Sequence, residues 1–459
     1  MKKLILSTII MFLCCSLFAK EQEQQKEQVI QTELSNKIPV YVKQIPGSQI
    51  SSVYIVVNGG TEYLTPETSG LENALFSMMV MGSEKYNYYD LQNFVFNTQS
   101  SFMPSSSRDG SVLGMVSLDY YFEETFDRFI DGFLNPAFAE KEYNNLITKY
   151  QQDLQSMLNN PSSMGFYYGE MVVYQNHPYS TSSSVLPESI DNITVSAMKN
   201  LHSQILDSRR ISVVAVGSID LQKLLVQLET TLGQIKQQNY PLKNQKIPEV
   251  TISGENLVTV HQAAKESAYI LRIFPSPAVT DEDYVTARVV CDVFSDILYN
   301  VVREKYGVCY TPGTDILSSD APFGFEYLYR TSNLKDFAKY MDVARKIMLE
   351  GKIVSGVNDK GEFSYKNLNE NLEGYINSYI NKKYSSQGTV SGIAGRMCAS
   401  LLQFGDIYSA DLLTEKVKQV TVEKVIEIFK KYWLDENYVW IAVVGPDEES
   451  EVVFNQINY

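Results

Sequence analysis

The chain has 459 residues and is acidic, with 39 Lys and Arg against 54 Asp and Glu and a formal net charge of −15. This surplus of negative charge repels phosphate backbones and anionic headgroups, which argues against nucleic acid or an anionic membrane surface as partner. The length exceeds what one hydrophobic core usually holds, so at least two domains are expected.

Residues 1–19 have the layout of a secretory signal peptide, with two lysines followed by an apolar run of about a dozen residues. No second apolar run of this kind follows, so no membrane span is predicted. We expect cleavage after Ala19 and export to a periplasm; a lipid anchor at Cys14 or Cys15 is the alternative. Residues 20–34, rich in Gln and Glu, are predicted to form a flexible tether.

The cysteines of the mature chain are Cys291, Cys309 and Cys398. Their wide spacing gives no metal signature, and an odd number cannot form a complete disulfide framework. We expect buried thiols, and a single disulfide is the alternative.

Two stretches of the chain repeat the same run of predicted elements. Each begins with an apolar strand, continues into a long helical pattern, and later closes with an apolar strand before a glycine. The segments are residues 51–60, 69–80 and 209–220 in the first half, and 266–277, 281–302 and 437–448 in the second.

The segment between the two halves, KQQNYPLKNQKIPEV (236–250), is rich in Lys, Gln and Pro and lacks periodicity, which predicts a linker. Helices alternate irregularly with strands of antiparallel character, which indicates an α+β fold. We therefore expect two similar α+β domains, over residues 35–235 and 251–459, joined by this linker.

The helix predicted at the start of GLENALFSMMVMGSEKY (70–86) places Asn73, Phe76 and Ser77 on its polar face. In this frame the chain resembles the M16 (pitrilysin/insulinase) metallopeptidase family, whose inverted zinc motif H-x-x-E-H follows a Gly-Leu pair on the first long helix. The resemblance covers nearly the whole mature chain. It implies two domains of the LuxS and mitochondrial processing peptidase type that form a clamshell. It makes Asn73 and Ser77 the counterparts of the two His ligands, Phe76 that of the general-base Glu, and Asp153 that of the third ligand.

The residue chemistry argues independently against a zinc site in this chain. A catalytic zinc needs three protein ligands, usually including imidazole, and an open position for water. The three histidines, His177, His202 and His261, are not spaced to place a pair on one helix face. Phe76 cannot accept a proton from water. We expect His177 to be a loop residue, His202 an ordinary helix residue, and no metal in this chain.

A second group of residues lies in NVVREKYGVCYTPG (300–313). A helix is predicted to end at Gly307, which places Arg303 on its last turn and Tyr310 on the next strand. This pattern is similar to the Arg/Tyr pair of M16 enzymes, which contacts substrate carbonyls and the developing oxyanion. The alternative is that Arg303 pairs with an acid such as Glu304 or Asp296 while Tyr310 packs in the core.

The segment NTQSSFMPSS (97–106) is a candidate edge strand for an extended substrate, with Ser100, Ser101 and Phe102 as the contact residues. Its small residues allow close approach, and Pro104 is expected to end the pairing. SSFMPSSSRDGSVLGM also resembles the strand and turn beside the M16 active site, and NHPYSTSSS resembles the family's Gly-His-Pro loop. The alternative is an ordinary edge strand protected by the proline.

The resemblance implies a non-catalytic subunit of an exported, heteromeric M16-type zinc peptidase. It is expected to be inactive alone, with zinc and general base supplied by a partner chain that bears H-x-x-E-H, and to act on extended, unstructured peptides. One alternative is a non-enzymatic pseudopeptidase that binds peptides or acts as a scaffold. A self-sufficient peptidase is another, and it requires stoichiometric zinc in the isolated chain.

Overall fold

The computed structural model describes residues 29–239, 242, 247–253, 255–332 and 334–446. The predicted signal peptide, most of the predicted tether, both candidate lipid-anchor cysteines and part of the predicted linker lie outside these residues. Within the described ranges, no helix has the length and apolar character needed to cross a bilayer.

The first half of the chain forms a six-stranded sheet of order β1-β2-β6-β3-β5-β4. Its neighbours pair antiparallel except β2 and β6, which run parallel. The strands are β1 (Val29–Glu33), β2 (Pro39–Gln44), β3 (Ile50–Asn58), β4 (Ser101–Ser106), β5 (Gly110–Leu118) and β6 (Ile211–Gly217).

The second half forms a five-stranded sheet of order β7-β13-β8-β10-β9, together with a separate hairpin of β11 and β12. Only β7 and β13 pair parallel in this sheet. This strand order corresponds to the order β2-β6-β3-β5-β4 in the first sheet. The two halves that repeat in the sequence therefore share one sheet topology. The strands are β7 (Leu257–Val260), β8 (Ala268–Pro275), β9 (Cys309–Ile316), β10 (Phe323–Thr331), β11 (Lys352–Val357), β12 (Phe363–Asn367) and β13 (Val439–Val444).

The helices of each half pack on its sheet and enclose a hydrophobic core. Two short π-helical segments, Tyr299–Lys305 and Phe429–Trp433, continue the helices that precede them. The α-helices of the first half are α1 (Leu71–Met79), α2 (Tyr88–Thr98), α3 (Phe122–Leu134), α4 (Glu140–Leu158), α5 (Pro161–Val173), α6 (Val195–Ile205) and α7 (Leu221–Thr230). Those of the second half are α8 (Tyr284–Leu298), α9 (Phe337–Leu349), α10 (Leu372–Ser386), α11 (Val390–Phe404), α12 (Ser409–Val417) and α13 (Val422–Ile428).

Each half also covers the other half's sheet with one helix. Helix α5 of the first half lies on β8, where its glycines, Gly165 and Gly169, allow close approach to Leu271 and Ile273. Helix α11 of the second half packs on β3 and β6 of the first sheet, in a cluster that includes Cys398. The two domains are therefore packed together through exchanged helices, and both faces of each sheet are covered.

The predicted tether is wrong at its described end. Val29–Glu33 forms β1, which pairs with β2 along its whole length. Val29 packs with the cluster under α11, whereas Ile30 packs on the main core of the first half. Two apolar residues beside an open strand edge thus suffice to add a strand to the sheet.

Within the described residues, Cys291, Cys309 and Cys398 are buried and free, as predicted, and the alternative of a disulfide is wrong. The described residues of the predicted linker have no regular secondary structure. Ile247 and Ile252, near its end, pack in the cluster between α5 and the second sheet.

Helix α3 supports α1 through a close contact at Gly132, where an added Cβ would lie 2.4 Å from the carbonyl oxygen of Met79. Because that atom belongs to the backbone, Gly132→Ala should lower the free energy of unfolding by about 1–3 kcal/mol, measured by urea denaturation. Gly374→Ala in α10 is the matched control, since its Cβ would meet open space. An equal effect of both changes would contradict this packing.

Candidate functional site

Helix α1 carries the positions that correspond to the zinc motif. It begins after Gly70, whose φ of 80° and close approach to Val185 leave no room for a side chain. Asn73 and Ser77 are half-buried, but Phe76 is fully buried in the first-half core. The expectation that Phe76 lies on the polar face is therefore wrong, because its ring is part of the contact between α1 and the sheet.

A tyrosine occupies the space beside these positions. The hydroxyl of Tyr150 on α4 donates a 2.8 Å hydrogen bond to Oδ1 of Asn73. Burial raises the pKa of Tyr150, and the neighbouring Ser77 opposes that shift, so the phenol stays protonated as a donor. Asp153 lies one turn further along α4, where its carboxylate pairs with Lys149 Nζ at 3.0 Å and both side chains are exposed.

The structure brings Asn73 and Asp153 to one cleft, as the resemblance implies. The cleft has a volume of about 310 Å³. Its other lining residues are Lys149, Tyr150, Leu154, Met157, Ser184 and Val185.

These residues do not fit a zinc ion. The donors present are an amide, a hydroxyl and a carboxylate that already pairs with a lysine, and no imidazole stands among them. Across the residues that the structure describes, no three His, Cys, Asp or Glu side chains are grouped so that they could hold a metal. Each of the three histidines instead has its Nε2 within 2.9 Å of a main-chain carbonyl: His177 at Pro248, His202 at Phe133 and His261 at Leu158.

The second candidate group lies where α8 gives way to β9. The helix widens into the π-helical turns 299–305, a feature frequent at functional sites. Gly307, with a φ of 60°, then turns the chain into β9. The guanidinium carbon of Arg303 lies 4.6 Å from the ring centre of Tyr310 and 4.9 Å from that of Tyr299.

Arg303 and Tyr310 are therefore close in space, as predicted. Arg303 also pairs with Glu304, with Nε 3.4 Å from Oε1, so this part of the alternative occurs as well. Tyr310 is 59% exposed, and the alternative of a core tyrosine is wrong. An exposed phenol beside a guanidinium presents several hydrogen-bond donors to a ligand.

Strands β4 and β9 occupy equivalent edges of the two sheets. Ser101 and Phe102 lie on β4 and are half-buried. Ser100 precedes the strand and is buried, with its hydroxyl bonded to Thr98 at 2.9 Å and Thr125 at 3.1 Å. Ser100 is thus a structural residue, which corrects its prediction as a substrate contact.

Pro104 does not end the pairing of β4, because it lies opposite Leu113 within the ladder. Ser107 N donates to Gly110 O at 2.9 Å, and hydrogen-bonded pairs alternate along an antiparallel ladder. Every second residue of β4 therefore bonds to β5, and the residues between them direct their backbone N–H and C=O groups to the free edge. These residues are Phe102, Pro104 and Ser106. Pro104 removes one donor there, and the backbone of Phe102 keeps both groups.

A second cleft, of about 450 Å³, lies between the two halves beside Tyr310. The first half contributes Asn159, which follows α4, and the start of α5. Asp153 of the first cleft is six residues earlier, or about 9 Å along α4. Residues at the C-terminal end of α4 and just beyond it therefore contribute to both clefts. Sequence reasoning missed this second cleft because it depends on a contact between the halves.

Sequence reasoning also missed a polar cluster that joins the halves near the hairpin of β4 and β5. Tyr179 donates a hydrogen bond to Asp109 of the hairpin. Arg108 pairs with Glu170 Oε1 at 3.0 Å. Asp320, before β10, lies near Asp109, and burial together with this negative neighbour raises the pKa of Asp320 to about 6. The sequence gives one sign of this cluster, the Arg-Asp-Gly turn at residues 108–110 between β4 and β5.

Because the folded state holds a proton on Asp320 that the unfolded chain releases near pH 4, the contribution of Asp320 to the free energy of unfolding should fall as the pH rises from about 4 to about 6. Asp320→Asn should remove this loss. The melting temperature of the variant minus that of the wild type should therefore increase as the pH rises from about 4 to about 6. Circular dichroism melts at pH 4 to 7 measure the difference. Asp359→Asn, in the exposed turn between β11 and β12, is the control; parallel curves for wild type and Asp320→Asn would contradict the assignment.

Comparison with known proteins gives matches at the level of family and fold. Residues 39–184 match the model of insulinase (peptidase family M16), and residues 192–352 match that of the peptidase M16 inactive domain. No curated protein matches the chain.

Three solved structures share the fold over 91% of this chain. A protease from Helicobacter pylori has a TM-score of 0.77, with 13% identity and 99% of that chain covered. The peptidase M16 inactive domain from Pseudomonas fluorescens has a TM-score of 0.73, with 14% identity and 98% coverage. The periplasmic protease PqqL from Escherichia coli has a TM-score of 0.72, with 16% identity and 46% coverage.

The two family models adjoin and together match more than half of the residues. The repeated α+β topology and the shared fold agree with them. The chain belongs to the M16 (insulinase) peptidase family, and it lacks the H-x-x-E-H motif.

Proposed function

We propose that this chain is the non-catalytic, Arg/Tyr-bearing subunit of an exported, heteromeric M16-type zinc peptidase that acts on extended peptides. A partner chain with H-x-x-E-H supplies the metal site and the general base. The observation that carries this proposal is the half-buried Arg303 beside the exposed Tyr310, in a chain whose α1 has Asn73, Phe76 and Ser77 in place of the motif.

The chemistry of the pair suits contact with a peptide carbonyl. A guanidinium keeps its charge and offers several directed donors, and the phenol adds one more. The position of Arg303 over the Tyr310 ring, at 4.6 Å, favours a fixed arrangement of both groups. Donors held in place toward a developing oxyanion contribute roughly 3 kcal/mol each to the stability of a transition state.

The free edge of β4 supports an extended peptide as the substrate. Backbone groups at such an edge pair with an added strand independently of its sequence. Phe102 presents both of its backbone groups on this side, and Ser101 beside it has a small side chain. In the proposed complex the substrate pairs with β4 or with the equivalent strand of the partner chain.

Two observations support export to a periplasm. Residues 1–19 have the layout of a signal peptide. One of the structurally similar proteins, PqqL, is described as a periplasmic protease. The acidic surface is compatible with a protein that avoids anionic membranes.

A second candidate function is a peptide-binding or scaffolding pseudopeptidase. It is favoured by the hydrogen bond between Tyr150 and Asn73, which satisfies the former ligand position within the chain itself. This candidate needs no partner chain, and it gives Arg303 no role in cleavage.

The test is to isolate the tagged chain from its source and assay the bound proteins for zinc and for cleavage of unstructured peptides. We expect an H-x-x-E-H chain to copurify. Arg303→Ala should lower kcat about 10²–10³-fold with the partner still bound. Lys305→Ala is the control, because Lys305 has the same charge on the same turn and packs on Phe363 instead.

Two results would contradict the proposal. Stoichiometric zinc and cleavage by the isolated chain would show a self-sufficient peptidase. A chain that binds peptides with no partner, no zinc and no effect of Arg303→Ala on function would be a pseudopeptidase.

A further inference from the structure

The cleft beside Tyr310 has an unusual lining for so acidic a protein. It holds about 450 Å³, enough for one or two peptide residues, and both halves contribute to it. Among the described residues, no Asp or Glu lines it, and Arg330 is the one lining residue with a full positive charge. The other lining residues are Asn159, Asn160, Pro161, Ser162, Ala263, Tyr269, Tyr310, Thr311 and Tyr329.

The backbone at Arg330 is strained in a way that directs its side chain. Its φ is +59°, in the left-handed region, which is unfavourable for a residue other than glycine. It forms a bulge in β10 between Tyr329 and Thr331, and bulges re-aim side chains near functional sites. Thr331 is fully buried and its hydroxyl donates a 2.9 Å hydrogen bond to Val308 O, which fixes the bulge from the next residue.

The guanidinium of Arg330 is free to bind a ligand. Within the described part of the chain it makes no hydrogen bond or ion pair, and its carbon lies 5.9 Å from the ring centre of Tyr310. Arg303, whose guanidinium carbon lies 4.6 Å from the centre of the same ring, already pairs with Glu304. The positive end of the α5 dipole also faces the cleft, through Pro161 at the first helical position.

The walls of the cleft suit a peptide rather than an inorganic ion. The rings of Tyr269 and Tyr329 lie 5.8 Å apart and form an aromatic surface next to Arg330. Tyr310 is exposed and available as a donor. A guanidinium binds a carboxylate through two parallel hydrogen bonds, whereas an aromatic wall favours the carbon atoms of the same residue.

We propose that this cleft is a carboxylate subsite, in which Arg330 binds a carboxylate of the peptide. The carboxylate is the C-terminus of the peptide or an Asp or Glu side chain. The inference deepens the proposed function, since it names the chemistry of the substrate at the Arg/Tyr site. It makes Arg330 a specificity-determining residue.

The test measures binding to the isolated full chain and needs neither zinc nor a partner. Three labelled, unstructured peptides are compared by fluorescence anisotropy: one with a free C-terminal carboxylate, one amidated without acids, and one amidated with an internal Glu. At least one carboxylate peptide should bind about tenfold more tightly than the peptide without acids. Preference for the free C-terminus or for the internal Glu identifies the source of the carboxylate.

Arg330→Gln should abolish this preference and leave the affinity for the acid-free peptide unchanged. Arg330→Gly should also abolish the preference, and glycine adopts the positive φ at this position without strain. Loss of the preference with an unchanged melting temperature would show that the effect is on binding and not on folding. Lys141→Gln is the control, because it removes one exposed positive charge about 27 Å along α4 from Asn159.

Equal affinity of the wild type for all three peptides would overturn the subsite, as would failure of all three to bind or a preference that survives Arg330→Gln. The proposed function fails separately. A carboxylate preference in a chain that has no zinc-bearing partner would uphold the subsite and reject the peptidase complex.

Discussion

The exchange of helices between the two halves is the constraint on which the rest of the structure depends. Because α5 covers the second sheet and α11 covers the first, the interior residues of β3 and all those of β6 and β13 are buried on both faces. Each large apolar side chain buried in this way contributes about 1.5–3 kcal/mol. The same exchange carries the end of α4 and the start of α5 to the edge of β9. The cleft beside Tyr310 exists because of that crossing.

The two halves use one topology for different purposes. In the proposed function the edge strand β4 pairs with a peptide, whereas the equivalent strand β9 carries Tyr310 and lies beside Arg303. On α1 the position that the resemblance assigns to a metal ligand, Asn73, forms an internal hydrogen bond with Tyr150, and Phe76 lies in the core. Building a metal site there would require several simultaneous changes.

The repeat, the α+β class and the proximity of Arg303 and Tyr310 could be predicted from the sequence, because strand and helix periodicity and a glycine helix end are local signals. Other features depend on contacts between distant segments. Strand β1 forms because β2 leaves an open edge. Ser100 is buried where its hydroxyl bonds to that of Thr125, which is 25 residues away in the sequence. The bulge that turns Arg330 into the cleft follows from the register of β10, which no local pattern of residues specifies.

The most direct test of the account is photo-cross-linking in the source organism with p-benzoylphenylalanine in place of Tyr310. The replacement keeps an aromatic ring at an exposed position next to Arg303. Tyr120 is the control position, since it is 88% exposed and lies in the first half away from both clefts. The account predicts a covalent adduct with a chain that bears H-x-x-E-H, formed from position 310 and not from position 120. Recovery of the chain alone, or linked only to a second copy of itself, would contradict it.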